Sequence, residues 1–283
     1  MAVPDLLASY WTLAGAVRPR AAQQHSPFDF RDRVQAAARA GFRGIGVWHA
    51  DLAHTLEQRS TGEMRQILQD NGIVHLELEF LGDWFMDGER RRASDRRRHL
   101  LLDAAAALGA RHVKVGDFTH EPCPMPRLVE SFAQLCKEGA EHGTMVGFEL
   151  MPFANIDTLE AALALVLGAA APNGGIILDL WHVVKLGITH EQLRGIPLRY
   201  LIGVEINDGY LHTLPCGLRD ETIDHRKLCG EGEFDVRGFV RCVLQTGYAG
   251  PWGVEVLSEA LRSWPLDALA GRSFATTAAQ FRD

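Results

Sequence analysis

The chain lacks the marks of several classes of protein. Its 283 residues hold only five cysteines, Cys123, Cys136, Cys216, Cys229 and Cys242, odd in number and without a CxxC spacing. That argues against a disulfide framework or a cysteine zinc site and fits free thiols in a reducing cytosol. No apolar run is long enough to span a bilayer; the longest, around Ala161 to Ala171, is short and alanine-rich. The start, Met1 to Asp5, has no basic segment followed by an apolar one, so no secretory signal is expected and the protein is placed in the cytoplasm, with no membrane partner. There is no extended basic stripe. Lys plus Arg number 29 against 36 Asp plus Glu, a net charge of −7, and nucleic acid is not expected as a partner. The one basic cluster, from Glu89 to Arg98, reads as a solvated helix face. The first apolar run is followed by Ala14-Gly15-Ala16-Val17-Arg18 rather than GxGxxG, which counts against a dinucleotide-binding sheet.

Hydrophobic residues are plentiful, at 47%. A chain of this length folded as one domain buries roughly 75% of its unfolded surface. Short apolar runs alternate with amphipathic stretches. The runs are Leu6–Leu13, Gly44–Trp48, Val74–Glu79, His112–Gly116, Met145–Leu150, Gly175–Leu180, Leu201–Ile206 and Trp252–Leu257. Helical patterns fall between them, at Phe30–Ala40, Arg59–Asn71, Glu89–Leu108, Pro126–Glu141, Asp157–Ala170, Thr189–Arg194, Asp235–Thr246 and Trp264–Phe281. Several are followed by glycine, the usual left-handed helix stop. Asp157 with Glu160 three residues on resembles a capping box. Eight strand–helix units predict a (β/α)8 TIM barrel, α/β in class, with residues 1–283 as a single domain.

Barrel chemistry sits at the C-terminal strand ends, and acids fall there. Run five ends with Glu149, run six with Asp179 followed by His182, run seven with Glu205 and Asp208, run eight with Glu255, and run three with Glu77 and Glu79. A single acid at a strand end is often a helix cap or an ion-pair partner. Four on consecutive strands repel one another when gathered at one rim, and a divalent cation between them relieves that repulsion. Asp179, at the end of Ile176-Ile177-Leu178, is the clearest case of a carboxylate in a greasy run that needs such a partner.

The segments FELMP, LDLWH, IGVEINDG and LCGEGEFDVRGFVRCVLQTGYAGPWGVEV resemble the sugar isomerase/epimerase superfamily with the xylose-isomerase-like barrel, over nearly the whole chain. The resemblance implies a metal site at Glu149, Asp179, Glu205 and Glu255, with Glu149 and Glu255 also serving as catalytic acid and base. It implies that His182 touches substrate. Many members carry histidine where this chain has Glu205. An all-oxygen ligand set favours Mn²⁺ or Mg²⁺, with Zn²⁺ or Co²⁺ as alternatives. Further substrate-binding candidates are Glu79, Lys114 in the middle of strand four, and Arg226; Trp48, His49, Trp84 and Phe85 are candidates for the pocket wall. The expected activity is metal-dependent isomerisation or epimerisation of a keto-sugar, a polyol-derived ketone or a related hydroxy-carbonyl compound. A dehydratase of the dehydroshikimate or inosose type, and a non-catalytic barrel that binds metal and sugar, are the alternatives. Acidic loops after strands seven and eight favour an unphosphorylated substrate. The resemblance also implies a homo-oligomer.

Overall fold

Eight parallel strands close into a barrel in chain order in the computed structural model, which describes residues 3–282. They are β1 Leu6–Ala8, β2 Gly44–Trp48, β3 His75–Leu81, β4 His112–Val115, β5 Met145–Glu149, β6 Gly174–Asp179, β7 Leu201–Ile206 and β8 Trp252–Val254. The helices are α1 Phe30–Ala40, α2 His49–Leu56, α3 Thr61–Asp70, α4 Gly88–Leu108, α5 Met125–Glu141, α6 Leu159–Ala169, α7 Leu180–Lys185, α8 His190–Arg194, α9 Leu218–Asp224, α10 Val236–Gln245 and α11 Leu266–Ala278. This is the (β/α)8 architecture that the alternating runs predict. Strands enclosed by a helical ring are buried on both faces, which is why they read as continuous apolar runs. None of the described helices is long and apolar enough to cross a membrane.

Several boundaries differ from expectation, each for a local reason. The first run extends to Leu13 in sequence, but pairing stops at Ala8 and Tyr10–Thr12 form a 3-10 turn. Helix α2 starts directly after β2 with Trp48 as its N-cap and no side-chain cap bond. It therefore carries no start signal to be read. Helix α6 is capped by Thr158, whose hydroxyl accepts from the amide of Ala161, rather than by Asp157. Its end is marked by Ala170 in the left-handed region, not by glycine. Two starts follow the capping-box rule: Ser60 with Glu63 for α3, and Thr189 with Gln192 for α8.

The register brings the acids together. Asp179 lies opposite Glu205 in the β6–β7 pairing, and Glu205 opposite Gly253 in β7–β8. Room for their side chains comes from glycine. A Cβ on Gly253 would meet Glu205 Cγ at 2.8 Å, and one on Gly46 would meet Glu77 and Glu79 Oε1 at the same distance. Any larger residue at these strand positions would displace a carboxylate.

Candidate metal and substrate site

One oxygen each from Glu149, Asp179, Glu205 and Glu255 lie within 4.8 Å of one another, and all four residues are buried. They come from four successive strand ends, β5 to β8, at the rim expected to carry chemistry. A cavity of about 440 Å³ opens beside them and is lined by Glu149, Glu255, His182, Glu79 and Arg226. Its walls are aromatic: Trp11, Trp48, Phe80, Phe118 and Phe153.

Two internal cations hold the cage together. Lys114 Nζ lies 2.5 Å from Glu205 Oε1, 3.0 Å from Glu255 Oε1 and 3.3 Å from Glu79 Oε2. Arg226 Nη1 bridges Asp179 Oδ2 at 2.8 Å and Glu255 Oε2 at 3.0 Å. Burial alone would strip the proton from Lys114, but Glu205, Glu255 and Glu79 hold its pKa well above the usual lysine value. Lys114 does not line the cavity; it lies beneath the carboxylates as their counter-ion and pairs with these three rather than with Glu149.

Asp179 answers for its greasy setting in several ways at once. Oδ1 accepts from the amide of His182, capping α7. Oδ2 accepts from Asn207 Nδ2 at 2.9 Å and from Arg226. Burial, which would raise its pKa, is outweighed by Arg226 and His182, so Asp179 sits below the usual carboxylate range. The cap, Asn207 and Arg226 thus contribute to the tolerance of this buried carboxylate, which also stands within the four-carboxylate group. Asn207 was not anticipated, although it lies two residues beyond Glu205.

Glu205 differs. Oε1 takes Lys114 and the Ser9 hydroxyl at 3.0 Å, but Oε2 is buried with no partner among the described residues. Burial first, then the charge of Glu255, pushes its pKa well up despite Lys114. Glu255 is raised too, mainly by burial, against Lys114 and Arg226. Glu79 is pushed up to about 8, by burial in the first place and by Glu77 and Glu255, against Lys114; its Oε1 accepts from the amide of Tyr10 at 3.0 Å.

These features fit a divalent cation. Fully ionised, the four carboxylates against Lys114 and Arg226 leave two negative charges in excess. One doubly charged ion would bring the cage to neutrality and give the orphaned Oε2 of Glu205 a partner. Glu149 Oε1 lies 3.3 Å from His182 Nε2, whose Nδ1 is buried without a partner.

Asp208 lies outside the cage. Its oxygens accept from the amides of Gly209, Gly230 and Phe234, tying down the CGEGEFD turn. Glu77 pairs instead with His112, at 3.4 Å. Trp84 and Phe85 are buried core residues rather than pocket wall, and the Trp84 indole donates to Gly116 O. Trp48 and His49 do line the cavity.

The basic cluster on α4 is only partly a solvated face. Arg92 and Arg96 are exposed and meet Glu89, whereas Arg98 bridges Asp95 and Glu138. Arg90 and Arg97, seven residues apart on one helix face, reach the cavity. That spacing was the signal in the sequence, hidden within a run of like charges.

Fold and cage together define a (β/α)8 barrel with a buried cluster of four carboxylates at its C-terminal rim. A family described as the xylose isomerase-like TIM barrel matches residues 34–278, and the chain belongs to that family. It is 29% identical over 248 residues to a 3-dehydroshikimate dehydratase of Pseudomonas aeruginosa, covering 84% of this chain and 38% of that protein. It is 26% identical over 240 residues to a protein of the same name from Pseudomonas putida, covering 83% and 37%. The chain thus spans less than two fifths of the length of these relatives. A solved structure of the IOLI protein with a bound zinc atom superimposes with a TM-score of 0.84 at 17% identity, covering 98% of this chain and 97% of that one.

Proposed function

We propose that the chain is a divalent-metal-dependent lyase that dehydrates a small polyhydroxylated ketone of the 3-dehydroshikimate type. The observation that carries this reading is the cage of Glu149, Asp179, Glu205 and Glu255 at the foot of a 440 Å³ aromatic cavity. The two dehydratase relatives support the choice of lyase. When bound, the metal would supply Lewis-acid polarisation of substrate oxygens; the oxygen-only ligand set favours Mn²⁺ or Mg²⁺.

The chain's own residues supply the proton chemistry. Dehydration breaks a C–H bond beside the carbonyl, forms a C=C bond, and releases the β-hydroxyl with one added proton as water. Glu149 faces the cavity with the His182 ring as its one close side-chain partner among the described residues, so it is the group free to accept the C–H proton. His182, beside it, can carry the proton to the departing hydroxyl. Both oxygens of Glu255 are held, Oε1 by Lys114 and Oε2 by Arg226. It acts first as a fixed negative charge and only then as a proton partner. Glu79, held by the amide of Tyr10 and by Lys114, lines the cavity as a polar contact for a substrate hydroxyl.

A second reading is isomerisation or epimerisation. Glu149 and Glu255 both face the cavity, from strand ends three steps apart around the eight-stranded ring. A proton removed by one could return from the other to the opposite face or to the neighbouring carbon.

The test is to strip the protein with a chelator, reload it with Mn²⁺, and follow 3-dehydroshikimate, an inosose and D-allulose in D₂O by proton NMR. Loss of water from 3-dehydroshikimate, with D-allulose unchanged, is the expected result. Deuterium entering D-allulose, without dehydration of any compound, would replace the lyase reading with the second one. No exchange anywhere in the panel, with metal bound tightly, would leave a binding barrel without turnover.

A further inference from the structure

Six arginines lie on α4, and five of them have acidic partners. Arg97 has none: among the described residues no acceptor lies within hydrogen-bonding distance of its guanidinium. Yet it is half-buried and lines the cavity. A cation withdrawn from water without a counter-charge is costly, and burial does depress the pKa of this guanidinium. Asp83, whose charge partly offsets that effect, is turned to Arg90 at 2.6 Å.

His49 lines the same β2–β3 side of the cavity. Its Nδ1 accepts from the amide of Phe80 at 3.5 Å, which leaves the hydrogen of the neutral ring on Nε2 as a free donor. Burial and Arg97 push its pKa down to about 3, so the ring is neutral at physiological pH. Here, then, are one fixed positive charge and one neutral donor, both without acceptors among the described residues, in a cavity walled by aromatic rings.

We propose that Arg97 and His49 form a carboxylate subsite, so that the substrates are hydroxy-ketones carrying one carboxylate, which is held away from the carboxylate cage. The proposal rests on the reading that this cavity takes a small hydroxy-ketone, and it narrows the substrate class to acids. The carboxylate supplies the missing counter-charge, and the guanidinium fork matches its two oxygens. A phosphate dianion fits less well. It would need a second free cation, and Arg90 is already taken by Asp83 and Glu121. Neutral keto-sugars would leave Arg97 buried and unpaired, and the site discriminates against them for that reason.

Ligand-observed NMR titrations of the full chain loaded with Mn²⁺ test this with benzoate, benzamide, phenyl phosphate and catechol. Benzoate should bind roughly 10- to 100-fold more tightly than benzamide, the range expected of a charge-assisted hydrogen bond. Arg97→Met should abolish that preference and leave catechol binding unchanged, and Arg97→Lys should retain part of it. Because Arg97 has no partner to lose, the melting temperature of Arg97→Met should be unchanged or higher. Equal binding of benzoate and benzamide, a preference that survives in Arg97→Met, or tighter binding of phenyl phosphate than of benzoate would each overturn the subsite. Catechol, whose neighbouring oxygens address the cage, reports separately. Its failure to bind beside an intact benzoate preference would count against the enzymatic reading and not against Arg97.

Discussion

Replacing Lys114 with methionine should make the fold depend on a divalent cation. The ammonium is fully buried and holds Glu205, Glu255 and Glu79 at 2.5, 3.0 and 3.3 Å. Methionine fills similar space without charge. Removing one partner of a buried ion pair costs about 3–5 kcal/mol, because the remaining charge loses its compensation. Here three carboxylates lose it together, although Glu79 and Glu205, whose pKa values are already raised, can take up protons and soften the loss. The metal-free variant should therefore lie near the lower end of that range, about 3 kcal/mol below wild type. At about 2–4 °C per kcal/mol for a chain of this size, its melting temperature falls by roughly 6–12 °C. A divalent cation held by the folded cage and not by the unfolded chain would offset this loss. At a hundred times its dissociation constant it restores about 2.7 kcal/mol. Scanning calorimetry with chelator and then with saturating Mn²⁺ reads both quantities. The reasoning is refuted if metal-free Lys114→Met melts within 2 °C of wild type, or if saturating Mn²⁺ leaves the melting temperature of the variant unchanged.

Other substitutions separate the roles of the remaining groups. Glu149→Gln should lower turnover by about 10²- to 10⁴-fold, the usual contribution of a general base, with far-ultraviolet circular dichroism unchanged; Glu255→Gln should also lower it, and should cost more stability because Lys114 and Arg226 each lose a charged partner. Glu205→Gln should leave the metal-free melting temperature unchanged or raise it, since it removes repulsion with Glu255, yet weaken Mn²⁺ binding measured by calorimetric titration. Glu205→His should shift metal preference toward Zn²⁺, read by competition against Mn²⁺. His49→Gln tests pH linkage. With its pKa lowered to about 3 in the fold from 6.5 unfolded, His49 binds a proton in the unfolded chain first, so stability is lost as pH falls below about 6.5. The variant should match wild type above that pH and become the more stable of the two below it, and parallel melting curves from pH 7 to pH 4 would refute the assignment.

The barrel was readable because each strand is apolar on both faces and the helices between them are amphipathic. Neither signal needs tertiary information. The four acids were readable for a related reason: carboxylates such as Glu149 and Asp179 interrupt runs that are otherwise greasy. What the pattern could not show is which charges compensate them. Lys114 lies 91 residues from Glu205 and 141 from Glu255 in the chain, and only closure of the barrel brings them together. Arg226 could be weighed only as a substrate ligand, because its pairing with Asp179 depends on the path of the long loop after β7. Helix α2 was missed since Trp48 is an N-cap with no capping chemistry. Arg97 was hidden by its neighbours: in the run Arg96-Arg97-Arg98 one side chain is exposed, one reaches the cavity and one bridges Asp95 and Glu138. Composition gives the three identical weight.

The two buried cations explain how this carboxylate cage can fold before any metal arrives. Four ionised carboxylates with atoms within 4.8 Å of one another would oppose barrel closure if nothing else were present. Lys114 from β4 and Arg226 from the loop after β7 each span two of the acids or more, so closing the strands brings the opposite charges in together. With all four acids ionised, the compensation stops short by two charges. Full neutrality would leave a divalent ion nothing to gain, whereas a deficit of four would hold the strand ends apart. Gly46 and Gly253 keep the carboxylates where the cations reach them, at the expense of side-chain packing inside the barrel. Arg97 shows the complementary case on the other side of the cavity, where a positive charge is left without its partner. One cavity thus offers an excess of negative charge at its foot and an unpaired positive charge in its wall. A molecule whose oxygens approach a cation at one end and whose carboxylate lies at the other would satisfy both.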